Sequence, residues 1–483
     1  MLNHFRRSGA FQDDKESAKK AVYIVKHIFL RFIDNHSIRE KRGMKMKGAA
    51  IIGVVCFARK TFDYEAAREI YENIKVRLGD IENVTFHCID ELVIEIEDAR
   101  KAAATLLAKG VDACACISGT FHLGHLPLEI YKVLQKPLLL WGLPELPYDG
   151  GKIRLNSLCG VQLNASNLYK AGIRNYHPHV GETIDEDWID AVRVRSALQN
   201  AHVGVVGSRA HGFFNIDVYD PALYRATGVL VDHYEISDII NREITDEEIG
   251  ARKYQLTDRF DVSSITEKQL TLVAALAAKL NSFLTAEKID ALAIRCWPEM
   301  ARDFGIAPCA SMSLLQSEDS ILACEGDIDG ALSMLAHRAA GAETPYLFDF
   351  SQINLKENYA LLWHCGVAPC NLHDGKSICS LDSYFAGGRG VTADFVLREG
   401  EVSILRFDSA GDRYRVFLQK ARGVPMEKEL KGTYLKVLFE GDVQYVLEKM
   451  LYNGIAHHAS MVYGTFIRPF EILARIQGWD VIK

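Results

Sequence analysis

Beyond residue 48 the apolar and polar positions fall into two alternating periods. Residues 50–57 form a continuous β-rich run, 64–78 repeat their apolar positions at helical spacing, and 99–109 do so again before the apolar run 113–117. A helix over 126–134 and a strand over 137–141 follow. This alternation predicts a parallel, doubly wound sheet. After the polar stretch 185–199 the pattern opens afresh, with strands at 203–206, 229–234 and 291–296, helices at 221–226, 267–284 and within 307–316, and a last strand ending at Glu325. Past His364-Cys365-Gly366 the period falls to two. Residues 391–397 and 402–407 read as a hairpin around 398–401, strands follow at 414–420 and 433–439, and helices at 443–451 and 469–476. The expected fold is α/β: two doubly wound parallel-sheet domains, residues 48–198 and 199–355, followed by a smaller antiparallel β-rich domain, 356–483.

Residues 321–349 read as a strand–helix–strand unit: two short apolar runs each stop at an acid, Glu325 and Asp349, and between them lies a helix that Asp327 and Asp329 can cap and Gly341 can end. Strands in such a unit run parallel, and residues beyond their carboxyl ends line the ligand crevice of an open α/β sheet. Glu325 and Asp349 then face one crevice; the alternative is that each is a solvated loop acid.

Composition narrows the function. Lys+Arg 56 against Asp+Glu 63, mixed along the chain, give a net charge of −7 and no basic run, so neither a nucleic acid nor a membrane is an expected partner. The 11 cysteines include no C-x-x-C pair and often sit inside apolar runs, as reduced residues of a cytoplasmic protein do. No dinucleotide or nucleotide phosphate loop is present. Residues 1–47 break from the later pattern, and Met44 or Met46 is an expected native start; the alternative is an N-terminal helix packed on a neighbouring subunit. Arg59 and Lys60 after the first strand, and His122 and His125 in the loop after the third, are either ligand contacts or structural and solvated groups.

The motifs Glu325-x-Asp327-x-x-Gly330-Ala331-Leu332, Phe348-Asp349, His364-Cys365-Gly366 and His458-Ala-x-x-x-Tyr463-Gly464 resemble those of the L-fucose/L-arabinose isomerase family, especially its L-fucose isomerase-like branch. The resemblance implies a metal held by Glu325, Asp349 and His458: Mn²⁺, or another divalent cation such as Mg²⁺ or Co²⁺. Such a mixed carboxylate and imidazole set suits that cation chemistry. It implies a substrate contact from His457; His364 is either a further metal ligand, as in the arabinose branch, a sugar contact or a group packed behind the site, and Trp297 and Arg59 are further candidates for the substrate. Successive side chains on a strand point to opposite faces, so only one of His457 and His458 is expected to reach the metal. Cys296 stands before Trp297 where L-fucose isomerase has a glutamine-rich stretch, and no late tryptophan precedes His458, which puts L-fucose itself in doubt.

The implied reaction is aldose–ketose isomerisation of an open-chain sugar through an enediolate, with Glu325 and Asp349 as the catalytic acids and bases. The family also implies a homo-oligomer, commonly a hexamer. Two alternatives remain: a non-catalytic sugar-binding protein of the same fold, and an epimerase or aldolase using the same enediolate chemistry.

Overall fold

The computed structural model describes residues 47–383, 389–411 and 413–483; the expected tail, Lys47 apart, and the starts at Met44 and Met46 lie outside them. Strands β1 (Ala50–Phe57), β2 (Val84–Cys88), β3 (Ala113–Ser118), β4 (Leu138–Gly142) and β5 (Tyr176–Val180) form an all-parallel sheet in the order β2-β1-β3-β4-β5. Every residue of β3 and β4 is buried, which is why these strands read as unbroken apolar runs. A second parallel sheet, β7-β6-β8-β9, comes from β6 (His202–Val206), β7 (Leu230–Tyr234), β8 (Ala291–Ile294) and the two-residue β9 (Leu322–Ala323).

The polar stretch between the two sheets is not a linker. It is the helix Glu186–Asn200, capped by Asp185, whose side chain accepts from the N–H groups of Asp187 and Trp188. Trp188 is fully buried, and the charges go inside as partners: Arg193 Nη1 lies 2.6 Å from Asp190 Oδ1, and Lys47 Nζ 2.7 Å from Asp190 Oδ2. Helix Glu267–Glu287 is long and apolar enough to cross a membrane, and half of its apolar window is packed inside the protein, where Val273, Leu276, Leu280 and Phe283 join the core.

The third sheet holds β10 (Tyr346–Asn354), β11 (Tyr359–His364), β12 (Ser380–Ser383), β13 (Val391–Val396), β14 (Gly400–Ala410), β15 (Arg413–Val424), β16 (Thr433–Phe439), β17 (His458–Tyr463) and β18 (Asp480–Ile482). Because β16 pairs with both β11 and β15, six strands, β16-β11-β10-β17-β14-β15, close into an antiparallel barrel. Two local expectations fail here. The chain β9, helix Ile328–Ala339, β10 is not a parallel unit: β9 ends the second sheet, whereas β10 runs antiparallel between β11 and β17, and Asp349 lies within the strand rather than at its end. Nor do β13 and β14 form a hairpin. β14 pairs instead with β15, Ala410 opposite Arg413, with Gly411 at φ 65° after β14.

The corner after β9 turns the chain from sheet to barrel. Glu325 and Gly326 are both left-handed, at φ 63° and 76°. A Cβ on Gly326 would lie 2.3 Å from the Ser208 carbonyl oxygen and 2.7 Å from Arg209 Cα, backbone atoms that cannot swing aside. Gly110, at φ 65°, has open space around it. Gly110→Ala should therefore cost only the left-handed penalty of about 1–2 kcal/mol. Gly326→Ala should cost roughly 2 kcal/mol more from the collision. Urea unfolding of both variants measures the difference, and equal midpoints would remove the close-approach argument.

His122 reports on the first sheet. It is fully buried, its Nε2 lying 3.1 Å from Ser118 Oγ and 3.2 Å from Asn164 Nδ2, and its ring centroid 4.8 Å from that of Phe57. Burial pushes its pKa down to about 4. A folded-state value below the unfolded one means the stability is present above about pH 6.5 and is lost as the pH falls toward 4, by about 3 kcal/mol in all. His122→Gln should flatten the stability curve in that window by one proton; an unchanged slope would show that another group carries it.

Candidate active site

The site forms where three chain segments meet. β10 and β17 are antiparallel with Asp349 directly opposite His458, so the two side chains leave one face of the pair. Glu325 arrives from the second sheet at the corner after β9. Its carbonyl accepts from the Ala210 N–H at 2.9 Å, and the next N–H, of Gly326, donates to Ile294 O at 3.1 Å. Glu325 Oε2 then lies 3.5 Å, and Asp349 Oδ1 3.3 Å, from the same nitrogen, His458 Nε2.

That nitrogen is held in one orientation. His458 is fully buried, and its other nitrogen, Nδ1, lies 2.9 Å from Asp327 Oδ2. A carboxylate only accepts, so Nδ1 carries the proton and Nε2 presents a lone pair. Among the described residues Nε2 makes no hydrogen bond, although it sits between two carboxylates. An orphaned imidazole lone pair beside two acids fits a divalent cation. Donor atoms of Glu325, His457 and His458, and likewise of Asp349, His364 and His458, lie within 4.8 Å of one another in each group.

Asp327 also caps helix Ile328–Ala339 by accepting from Gly330 N–H at 2.9 Å, and it pairs with Arg406; both charged side chains are fully buried. Burial opposes its ionisation, but Arg406 and His458 hold the carboxyl well below its usual range. Asp329, expected as a second cap, instead accepts from Ser409 N–H, Ser409 Oγ and Tyr414 OH at 2.8–2.9 Å. Burial likewise opposes ionisation of Glu325, and the His457 hydrogen bond with the nearby histidines outweighs it and lowers the pKa.

His457 precedes β17, so the pleat that would turn it away from His458 does not apply. Its Nε2 lies 3.2 Å from Glu325 Oε2, and Asn215 Nδ2 donates to its Nδ1 at 3.0 Å. Both histidines thus reach one carboxylate. Phe213 packs beside His457 at 5.5 Å and beside Trp297 at 6.1 Å, an aromatic wall next to the acids. His364, at the end of β11, lies nearly parallel to the His458 ring at 5.5 Å. Asn215, Phe213, Asp327 as a histidine partner, and Arg406 were not expected from sequence. The E-x-D spacing was the visible signal for Asp327; Arg406, 79 residues away, left none. Arg59 and Lys60 lie beyond β1 in the first sheet, where the Arg59 N–H donates to Thr120 Oγ1. Among the described residues, no hydrogen bond or ion pair joins Arg59, Lys60, His122 or His125 to the cluster.

Residues 53–193 match the family model of the fucose/sulfoquinovose isomerase N-terminal domain. Sulfoquinovose isomerase of Priestia aryabhattai is 28% identical over 436 residues, covering 87% of this chain and 96% of that one. The sulfoquinovose isomerase of Clostridium sp. (strain MSTE9) is 26% identical, with 84% and 92% covered. That of Alkalicoccus urumqiensis is 25% identical, with 72% and 80% covered. These matches support an L-fucose isomerase-like aldose–ketose isomerase.

Proposed function

We propose that this isomerase is divalent-cation dependent, Mn²⁺ being the first choice, and acts on an open-chain sulfonated hexose of the sulfoquinovose type, as a closed homo-oligomer in the cytoplasm. The observation that carries the metal reading is the buried, unpartnered Nε2 of His458 between Glu325 and Asp349. The substrate class rests on the relatives, which are sulfoquinovose isomerases along most of their length.

Glu325, Asp349 and His458 would hold the cation, which when bound would supply positive charge beside the sugar oxygens. The two carboxylates divide the proton work: one takes the proton from C2 and returns it at C1, the other carries the hydroxyl proton between O2 and O1. His457 donates to Glu325 and fixes that carboxylate. Phe213 and Trp297 shield one side of the site and reduce water's access to the intermediate. A binding protein has no use for two acids against one imidazole lone pair, which disfavours the non-catalytic alternative.

Glu325→Gln and Asp349→Asn should each lower kcat roughly 10²–10⁴-fold with the melting temperature kept within a few degrees. Chelation should abolish turnover of the parent, and Mn²⁺ should restore it. Full turnover after exhaustive chelation would discard the metal role; full activity of either variant would discard the acid.

For the substrate, NMR of product mixtures should show sulfoquinovose converted to its 2-ketose, with deuterium from D₂O entering at C1. We expect kcat/KM for sulfoquinovose at least a hundredfold above that for L-fucose, L-arabinose or D-glucose, about 3 kcal/mol of discrimination. Preference for an uncharged aldose would overturn the sulfonate assignment and leave the isomerase standing.

A further inference from the structure

His364 and His458 are neighbours with opposite partners. At His458, Nδ1 faces the Asp327 carboxylate at 2.9 Å. At His364, Nδ1 accepts the backbone N–H of Cys365 at 2.8 Å. A peptide N–H can only donate, so in the neutral ring of His364 the proton sits on Nε2. That atom is buried and, among the described residues, has no hydrogen-bond partner, on a side chain only 3% exposed. His364 belongs with Asp349 and His458 to a group whose members each offer one donor atom within 4.8 Å of the others.

We propose that His364 is a hydrogen-bond donor to the oxygens of the bound sugar and not a further cation ligand, its Nε2–H aimed into the site that His458 fills with a lone pair. This rests on the metal-dependent isomerase reading above. Reversing the role would need the ring to turn over, which would leave the Cys365 N–H without its acceptor in a part-buried place. The ring also lies nearly parallel to two others, Trp363 at 6.5 Å and 18° and His458 at 5.5 Å and 21°. Gly366, at φ 117°, makes the turn possible, since a Cβ there would lie 2.5 Å from the Ala393 carbonyl oxygen. A donor at this place would bind the growing negative charge on the sugar oxygens, and its loss should appear in kcat more than in metal affinity.

The test titrates the metal-free protein with Mn²⁺ alone by calorimetry, in the parent, His364→Gln, His364→Phe and His458→Gln. His364→Gln and His364→Phe should bind Mn²⁺ within about threefold of the parent, whereas His458→Gln should bind at least a hundredfold more weakly. The Phe variant should lose roughly 10²-fold in kcat, and the Gln variant, which keeps an N–H near the same place, less. A loss of Mn²⁺ affinity in His364→Gln equal to that in His458→Gln would overturn the proposal. Pulsed EPR of bound Mn²⁺ gives a second readout: the number of directly coordinated imidazoles should be the same in the parent and His364→Gln, and a count that drops by one would overturn it. A parent that binds no Mn²⁺ would remove the metal reading itself.

Discussion

The site depends on one buried ion pair. Arg406, on β14, and Asp327, at the head of helix Ile328–Ala339, are both fully buried and hydrogen-bonded to each other. Neither charge tolerates that position alone, because an unpaired buried ion costs several kcal/mol and removing one partner of such a pair typically costs about 3–5 kcal/mol. The pair locks the barrel to the helix that follows Glu325, and the same Asp327 oxygen receives His458 Nδ1. One carboxylate thereby serves as helix cap, counter-ion and histidine orienter, and these roles tie three segments distant in sequence.

The placement of the acids follows from the join between two kinds of sheet. A parallel sheet offers its carboxyl ends to a crevice, and Glu325 stands at such an end. A closed barrel offers positions along a strand, and Asp349 and His458 are opposed within one. Had β10 continued the second sheet, Asp349 would face the crevice without the strand that carries His458. The left-handed corner at Glu325 and Gly326 is the connection that lets both geometries be used at once, and it is held by backbone hydrogen bonds to Ala210 and Ile294.

This also explains what could be read from the chain. Elements made of local contacts were legible: the helix Tyr64–Leu78 and the apolar strands β1, β3 and β4 carry their burial in their own periodicity. The closeness of Glu325, Asp349 and His458 was legible through motifs. Pairing was not, because strand partners are chosen by tertiary contacts: residues 391–407 alternate as a hairpin should, yet β13 joins β16 in parallel and β14 joins β15 and β17. Helix Glu186–Asn200 was hidden by its charges, since Asp190 and Arg193 look like surface until their partnership is seen. Arg406 was hidden for the same reason.

The charges around the site do not all cancel. Arg406 pairs with Asp327, and Arg415 with Asp408. Asp329 is buried among donors, and burial pushes its pKa up to about 6, which lightens its charge near neutrality. Glu325 and Asp349 remain, with no arginine or lysine ion-paired to them among the described residues, and histidines as their ionic partners. Burial resists protonation of His457, but the Glu325 hydrogen bond and the charge of Asp349 raise its pKa. On the metal-dependent reading proposed above, two acids left in excess around an imidazole lone pair would favour a bound cation, and the same two acids would move the protons.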